Sequence, residues 1–279
     1  MKTAALVLLL AAAPAAAEVR YATFASPSLG KDVPYAVQLP PSYATAASRR
    51  YPVLYALHGL FESPGFWERR GLAGVLDALW QKGELPELVV VAVDGDNSFF
   101  VDGPAGRWEQ MASRDFVAHV ESTYRVTPGR AGRAALGVSM GGYAALRMGL
   151  AHPDLFRAVA AHSAMLLEKI PTAEEGAGRW QMAAFYKVFG SPIDAALWGA
   201  NDPLTLALKA DPKTVPALYF DCGSEDRYGL FAGNRELHKR LEARGVAHEF
   251  GLYPGDHGYE YVHTVLDKSL RFLGRQFAR

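Results

Sequence analysis

Apolar positions along this chain fall into short dense runs, separated by stretches with helical spacing. Residues 52–57, 88–93, 156–162 and 215–222 are largely apolar over six to eight positions. Runs of that length and density suit strands buried on both faces. Residues 133–138 and 247–252 read as two more strands. Residues 67–82, 142–151, 231–244 and a closing segment from about 259 carry helical spacing, as does 115–124 with Phe116, Val117 and Val120. Near the start, residues 19–25 and 35–39 predict two strands around a turn containing Gly30, an antiparallel opening. Strands alternating with helices predict an α/β fold: a mostly parallel central sheet with helices on both faces. In such sheets functional groups collect at the carboxyl ends of the strands. The stretch 164–214 breaks the rhythm, with prolines at 171, 192, 203 and 212. It is expected as an irregular insertion near the active site of a single domain spanning 18–279.

Composition narrows the field. The 279 residues are half apolar and carry 29 basic against 29 acidic side chains, a net charge of zero. No run of Lys and Arg could follow a nucleic-acid backbone, so a polyanion partner is not expected. The one cysteine, Cys222, cannot form an intrachain disulfide. Inside a predicted strand it reads as a small core hydrophobe, which argues against a thiol nucleophile or a thiolate zinc site.

The first 17 residues differ from the rest. Lys2, a short apolar run over 4–13, Pro14 and Ala15-Ala16-Ala17 read as a signal peptide cleaved after Ala17. The expectation is a secreted or periplasmic protein. Glu18 rather than a cysteine stands directly after Ala17, which argues against a lipid anchor, and no later segment has the length and apolarity of a membrane span.

The chemistry centres on Gly137-Val-Ser139-Met-Gly141. The pentapeptide lies between a predicted strand and a predicted helix, the setting of a nucleophile elbow. A serine hydroxyl needs a base, and the base needs a group to fix its tautomer. With such an elbow the chain order is serine, acid, histidine. His257 sits in the Pro/Gly-rich loop after strand 247–252, whereas the other histidines downstream or upstream fall in or at the ends of helices and strands. The loop after strand 215–222 offers Glu225 and Asp226, and Asp226, further into the loop, is favoured. Oxyanion donors are expected at the backbone N–H groups of Met140, after the serine, and Leu60, in the His58-Gly59-Leu60 loop. His58-Gly59 reads equally well as an ordinary strand-ending turn. The Asp94-Gly-Asp-Asn97 segment reads as a turn rather than a calcium loop. Phe61, Phe66, Trp67, Phe99, Phe100, Trp108, Tyr228 and Tyr259 lie near strand ends; core packing is expected for most of them and a pocket wall for a few.

With these residues assembled, the chain resembles the esterase D branch of the α/β-hydrolases. That group includes S-formylglutathione hydrolases, feruloyl esterases, enterochelin esterases and mycolyltransferases. The carrying segments are Leu39-Pro-Pro-Ser-Tyr43, Tyr51-Pro-Val-Leu-Tyr-Ala-Leu-His-Gly59, Gly137-Val-Ser-Met-Gly-Gly142, Cys222-Gly-Ser-Glu-Asp226 and Pro254-Gly-Asp-His257. The resemblance implies Ser139 as nucleophile, Asp226 as acid, His257 as base, and Leu60 and Met140 as oxyanion donors. It implies one domain with no metal and no cofactor. The expected function is a secreted serine carboxylic-ester hydrolase working through an acyl-enzyme on a small-molecule ester, with sugar or phenolic esters as the substrate hypothesis. An acyltransferase using the same intermediate is one alternative, and a non-catalytic binding module on this fold is the other.

Overall fold

A computed structural model describes residues 18–170, 172 and 180–278; the expected signal peptide at 1–17 lies outside them. Eight strands form the central sheet: β1 (Val19–Ser26), β2 (Lys31–Gln38), β3 (Val53–Leu57), β4 (Val89–Val93), β5 (Arg133–Val138), β6 (Ala158–His162), β7 (Ala217–Gly223) and β8 (His248–Tyr253). Their spatial order is β1-β2-β4-β3-β5-β6-β7-β8. β1 pairs antiparallel with β2, and β2 antiparallel with β4. Every pairing from β4 onward is parallel.

The strand pleat divides the core into two layers. Val53, Tyr55 and Leu57 of β3, with Val89, Val91 and Val93 of β4, face one layer. Leu54, Ala56, Val90 and Ala92 face the other. Both β3 and β4 are therefore buried along their whole length, which explains why they read as unbroken apolar runs. On the second face lie α1 (Phe66–Arg69), α2 (Leu72–Gln81) and the long closing helix. On the first face lie α3 (Phe116–Thr123) and α4 (Met140–Ala151), the helix that follows the serine.

Two expectations need correction. The helical spacing over 67–82 covers two helices, because Gly71 takes a left-handed φ of 72° between α1 and α2. The stretch 164–214 is not irregular throughout: among its described residues it holds α5 (Trp180–Phe189), α6 (Ala195–Asn201) and α7 (Pro203–Ala207). Asp194 caps α6 by accepting the Ala196 and Leu197 N–H groups. Asp202 caps α7 by accepting from Leu204 and Thr205, with Pro203 at its first position. A proline that looks like a breaker is therefore a helix start. Phe185, Phe189 and Trp198 of these helices pack with Phe99 and Tyr143, so the segment is tied into the first layer. Two further helices are α8 (Leu230–Ala243) and α9 (Tyr259–Phe277).

Candidate active site

The elbow is built by close approach. A Cβ on Gly137 would lie 2.0 Å from the Gly141 carbonyl oxygen, and one on Gly141 would lie 2.1 Å from that of Leu57. Only glycine at both positions lets the strand turn directly into α4 against the end of β3. Ser139, at the apex, has φ 56° and ψ −112°, a costly conformation for a residue with a side chain. The surroundings hold it there. Its N–H donates to the His162 carbonyl at 2.9 Å, and its carbonyl accepts from Tyr143 at 2.9 Å and Met165 at 3.1 Å.

Two loops from later strands meet the serine. The Ser139 hydroxyl donates to His257 Nε2 at 3.1 Å, and His257 Nδ1 donates to Asp226 Oδ2 at 2.8 Å. An ionised carboxylate can only accept, so the proton of the neutral imidazole sits on Nδ1 and Nε2 is left to receive one. Asp226 is 4% exposed. It also accepts the Tyr228 N–H at 2.9 Å on Oδ1, and the Cys222 thiol points at its Oδ2 from 3.5 Å. Glu225, the other carboxylate of this loop, is exposed. Burial, and then the neighbouring Asp226 charge, push the Cys222 thiol well above its ordinary range. It is thus a protonated core group, not a nucleophile.

Asp256 joins the two loops. Its Oδ1 accepts the N–H of Arg227 at 2.7 Å and that of His257 at 2.6 Å, and its carboxylate pairs with the Arg227 guanidinium. The Arg227 side chain, then the two N–H groups, hold the Asp256 carboxyl below the ordinary range. The Asp256 side chain thus points away from the imidazole, toward the neighbouring loop that carries Asp226.

Ser139 and His257 open into a cavity of about 440 Å³. Gly59 and Leu60 form one wall beside Ser139, and Met165, Leu167, Met182 and Leu230 supply an apolar surface. Of the aromatic candidates, Tyr228 and Tyr259 line this space. Phe61 stands 59% exposed next to it, while Phe66, Trp67, Phe99, Phe100 and Trp108 are core residues. The first N–H of α4 belongs to Met140 and has no intrahelical acceptor. It lies at the positive end of the helix, next to Ser139. Met165 follows the carboxyl end of β6, so the rule that located Asp226 and His257 could have found it. Met182 had no such signal, because its helix was not anticipated.

Among the described residues, no group of three or more His, Cys, Asp or Glu side chains is arranged to hold a metal ion. Asp94 spends Oδ1 on the Asp96 N–H at 2.9 Å, which makes its segment an Asx turn. No helix of the described residues is long and apolar enough to cross a membrane.

A mostly parallel sheet in this strand order, with a serine elbow after its fifth strand, defines an α/β-hydrolase. Within that class the chain belongs to the putative esterase family, which residues 26–273 match. Esterase MT1326 of Mycobacterium tuberculosis is 27% identical over 258 residues, covering 85% of this chain and 55% of that protein. The diacylglycerol acyltransferase/mycolyltransferase Ag85A of Mycobacterium leprae is 31% identical over 204 residues, 66% of this chain and 56% of its own length. The chain thus spans about half the length of these curated relatives. Among solved structures, a ferulic acid esterase superposes with a TM-score of 0.80 at 30% identity, covering 94% of this chain and 98% of that one. An S-formylglutathione hydrolase from Staphylococcus aureus shares the fold, with a TM-score of 0.72 at 21% identity over 92% of this chain and 98% of its own.

Proposed function

We propose that this chain is a serine carboxylic-ester hydrolase that works through an acyl-enzyme. The observation that carries the reading is the unbroken Ser139–His257–Asp226 hydrogen-bond chain opening onto a mostly apolar cavity. Ser139 Oγ attacks the ester carbonyl as His257 Nε2 takes its proton. Asp226 holds the Nδ1 proton and stabilises the imidazolium. The carbonyl oxygen, now carrying the negative charge, is received by the N–H groups of Met140 and Leu60. Collapse of the tetrahedral species expels the alcohol, protonated by His257. Water, deprotonated by the same imidazole, then attacks the acyl-serine and frees the acid.

The apolar walls favour an acyl group with an aromatic or alkyl body, and the similarity to a ferulic acid esterase points the same way. We therefore assign phenolic or sugar esters as the substrate class. The decisive test is Ser139→Ala on an activated aryl ester: turnover should fall by about 10⁴ or more with the circular dichroism spectrum unchanged. Undiminished hydrolysis would overturn the mechanism.

A second reading, acyl transfer, is favoured by the similarity to a mycobacterial acyltransferase. It keeps the acyl-serine and replaces water by an alcohol. Product analysis with and without added sugar alcohol separates the two. The segment 1–17 further supports export, so the mature chain should begin at Glu18, as intact-mass measurement of exported protein would read.

A further inference from the structure

An oxyanion hole needs N–H groups that are aimed before the charge develops. One of the two assigned here, that of Leu60, lies on a surface loop rather than on a helix, so something must aim it. We propose that Asn97 and His58 are positioning residues that lock the Leu60 N–H toward the reacting carbonyl. This rests on the ester-hydrolase reading and adds to it.

The peptide between Gly59 and Leu60 carries the donor. Because a peptide is planar and trans, its carbonyl and its N–H point in opposite directions. The Gly59 carbonyl accepts from His58 Nδ1 at 2.8 Å. His58 Nε2 in turn accepts the Gly95 N–H at 2.9 Å, which fixes the neutral tautomer with its proton on Nδ1. His58 is fully buried, so this bond is shielded from water. Holding the carbonyl toward His58 turns the Leu60 N–H the other way, and Gly59 and Leu60 line the cavity beside Ser139.

The next peptide is held by Asn97. The Phe61 N–H donates to Asn97 Oδ1 at 2.7 Å. Phe61 has φ 61°, and the Glu62 N–H donates to the Gly59 carbonyl at 3.3 Å. Together these make a turn whose third residue is normally glycine or asparagine. A phenylalanine there is strained, and relaxing it would rotate the peptides on either side of Leu60. The Asn97 bond opposes that rotation. Asn97 itself is placed by a stiff segment: the Ser98 hydroxyl donates to the Gly95 carbonyl at 2.5 Å and accepts the Phe100 N–H at 3.0 Å. Phe99 and Phe100 are fully buried, which anchors its far end.

The test is a double-mutant cycle on Asn97→Ala and Phe61→Gly, read as kcat and KM on an aryl ester and as the inhibition constant of an aryl boronic acid. Asn97→Ala should lower kcat by about 10–100-fold, somewhat less than deletion of a donor itself. KM should stay within about threefold, and boronate binding should weaken by a factor similar to the loss in kcat. Glycine at 61 adopts φ 61° without strain, so Asn97→Ala should cost only a few-fold when made in Phe61→Gly. An equal loss in both backgrounds would mean that Asn97 merely supports the loop, and an unchanged kcat would mean that it does nothing for the donor; either overturns the proposal. Neither bears on Ser139→Ala, whose loss of turnover stands or falls by itself.

Discussion

Single side chains decide more at this site than their number suggests. The choice between adjacent carboxylates is the clearest case. Asp226→Asn should lower kcat by about 10⁴, because an amide offers Nδ1 no charge and can favour the wrong tautomer. Glu225→Gln should stay within about twofold, since Glu225 is exposed; kcat measured on both variants gives the comparison. Asp256 makes a pH prediction. Its carboxyl titrates lower in the folded chain than an ordinary carboxyl near 4, owing first to Arg227. A group lowered on folding contributes stability above its unfolded value and loses it as pH falls toward the folded one. The melting-temperature gap between the wild type and Asp256→Asn should therefore be widest at neutral pH and shrink below about pH 4. Ser139, Asp226 and His257 were legible because each follows a strand in a fixed chain order. Asn97 and Asp256 were not, because hydrogen bonds between loops leave no periodicity in a sequence.

Among the elements, α4 combines the elbow with a hidden charge. Arg147 is 1% exposed, pairs with Glu109 and donates to the Phe100 carbonyl at 3.3 Å. Burial raises the Glu109 carboxyl, but His152 and Arg147 outweigh this and leave it below the ordinary range. Removing Arg147 leaves Glu109 with His152 alone and empties a fully buried side-chain site. Arg147→Ala should cost about 3–5 kcal/mol of stability, read from the urea midpoint. The helix was legible from its spacing; the burial of its arginine was not, since a charged residue in an apolar helix reads as exposed. The same limit hid α6 and α7. They are short and carried by caps and packing rather than by a long apolar stripe. Strands β3 and β4 were legible nearly to their ends because burial on both faces leaves them no polar positions.

Across the whole molecule, the two halves of the site come from different sources. The groups proposed to react sit at strand ends, while Met165, Leu167 and Met182 come from the segment between β6 and β7. Substrate choice should therefore move independently of chemistry. Met182→Trp, filling part of the cavity, should lower kcat/KM for a feruloyl ester relative to an acetyl ester by about tenfold, within the range one pocket side chain supplies. A substrate panel measures that ratio. The alternation of strands and helices and the position of the elbow were readable from the chain; the shape of the cavity was not, because it depends on helices that the prolines disguised.

His257 lies 118 positions beyond Ser139 and 31 beyond Asp226, at the exit of the edge strand β8. Under the proposed mechanism, a chain that has closed its elbow but not yet added β8 has a serine with no base. Ester turnover therefore reports the last stage of assembly: during refolding it should return no earlier than protection of the β7–β8 amides from hydrogen exchange. By the same mechanism a partly built molecule, however well its elbow is formed, should stay chemically silent.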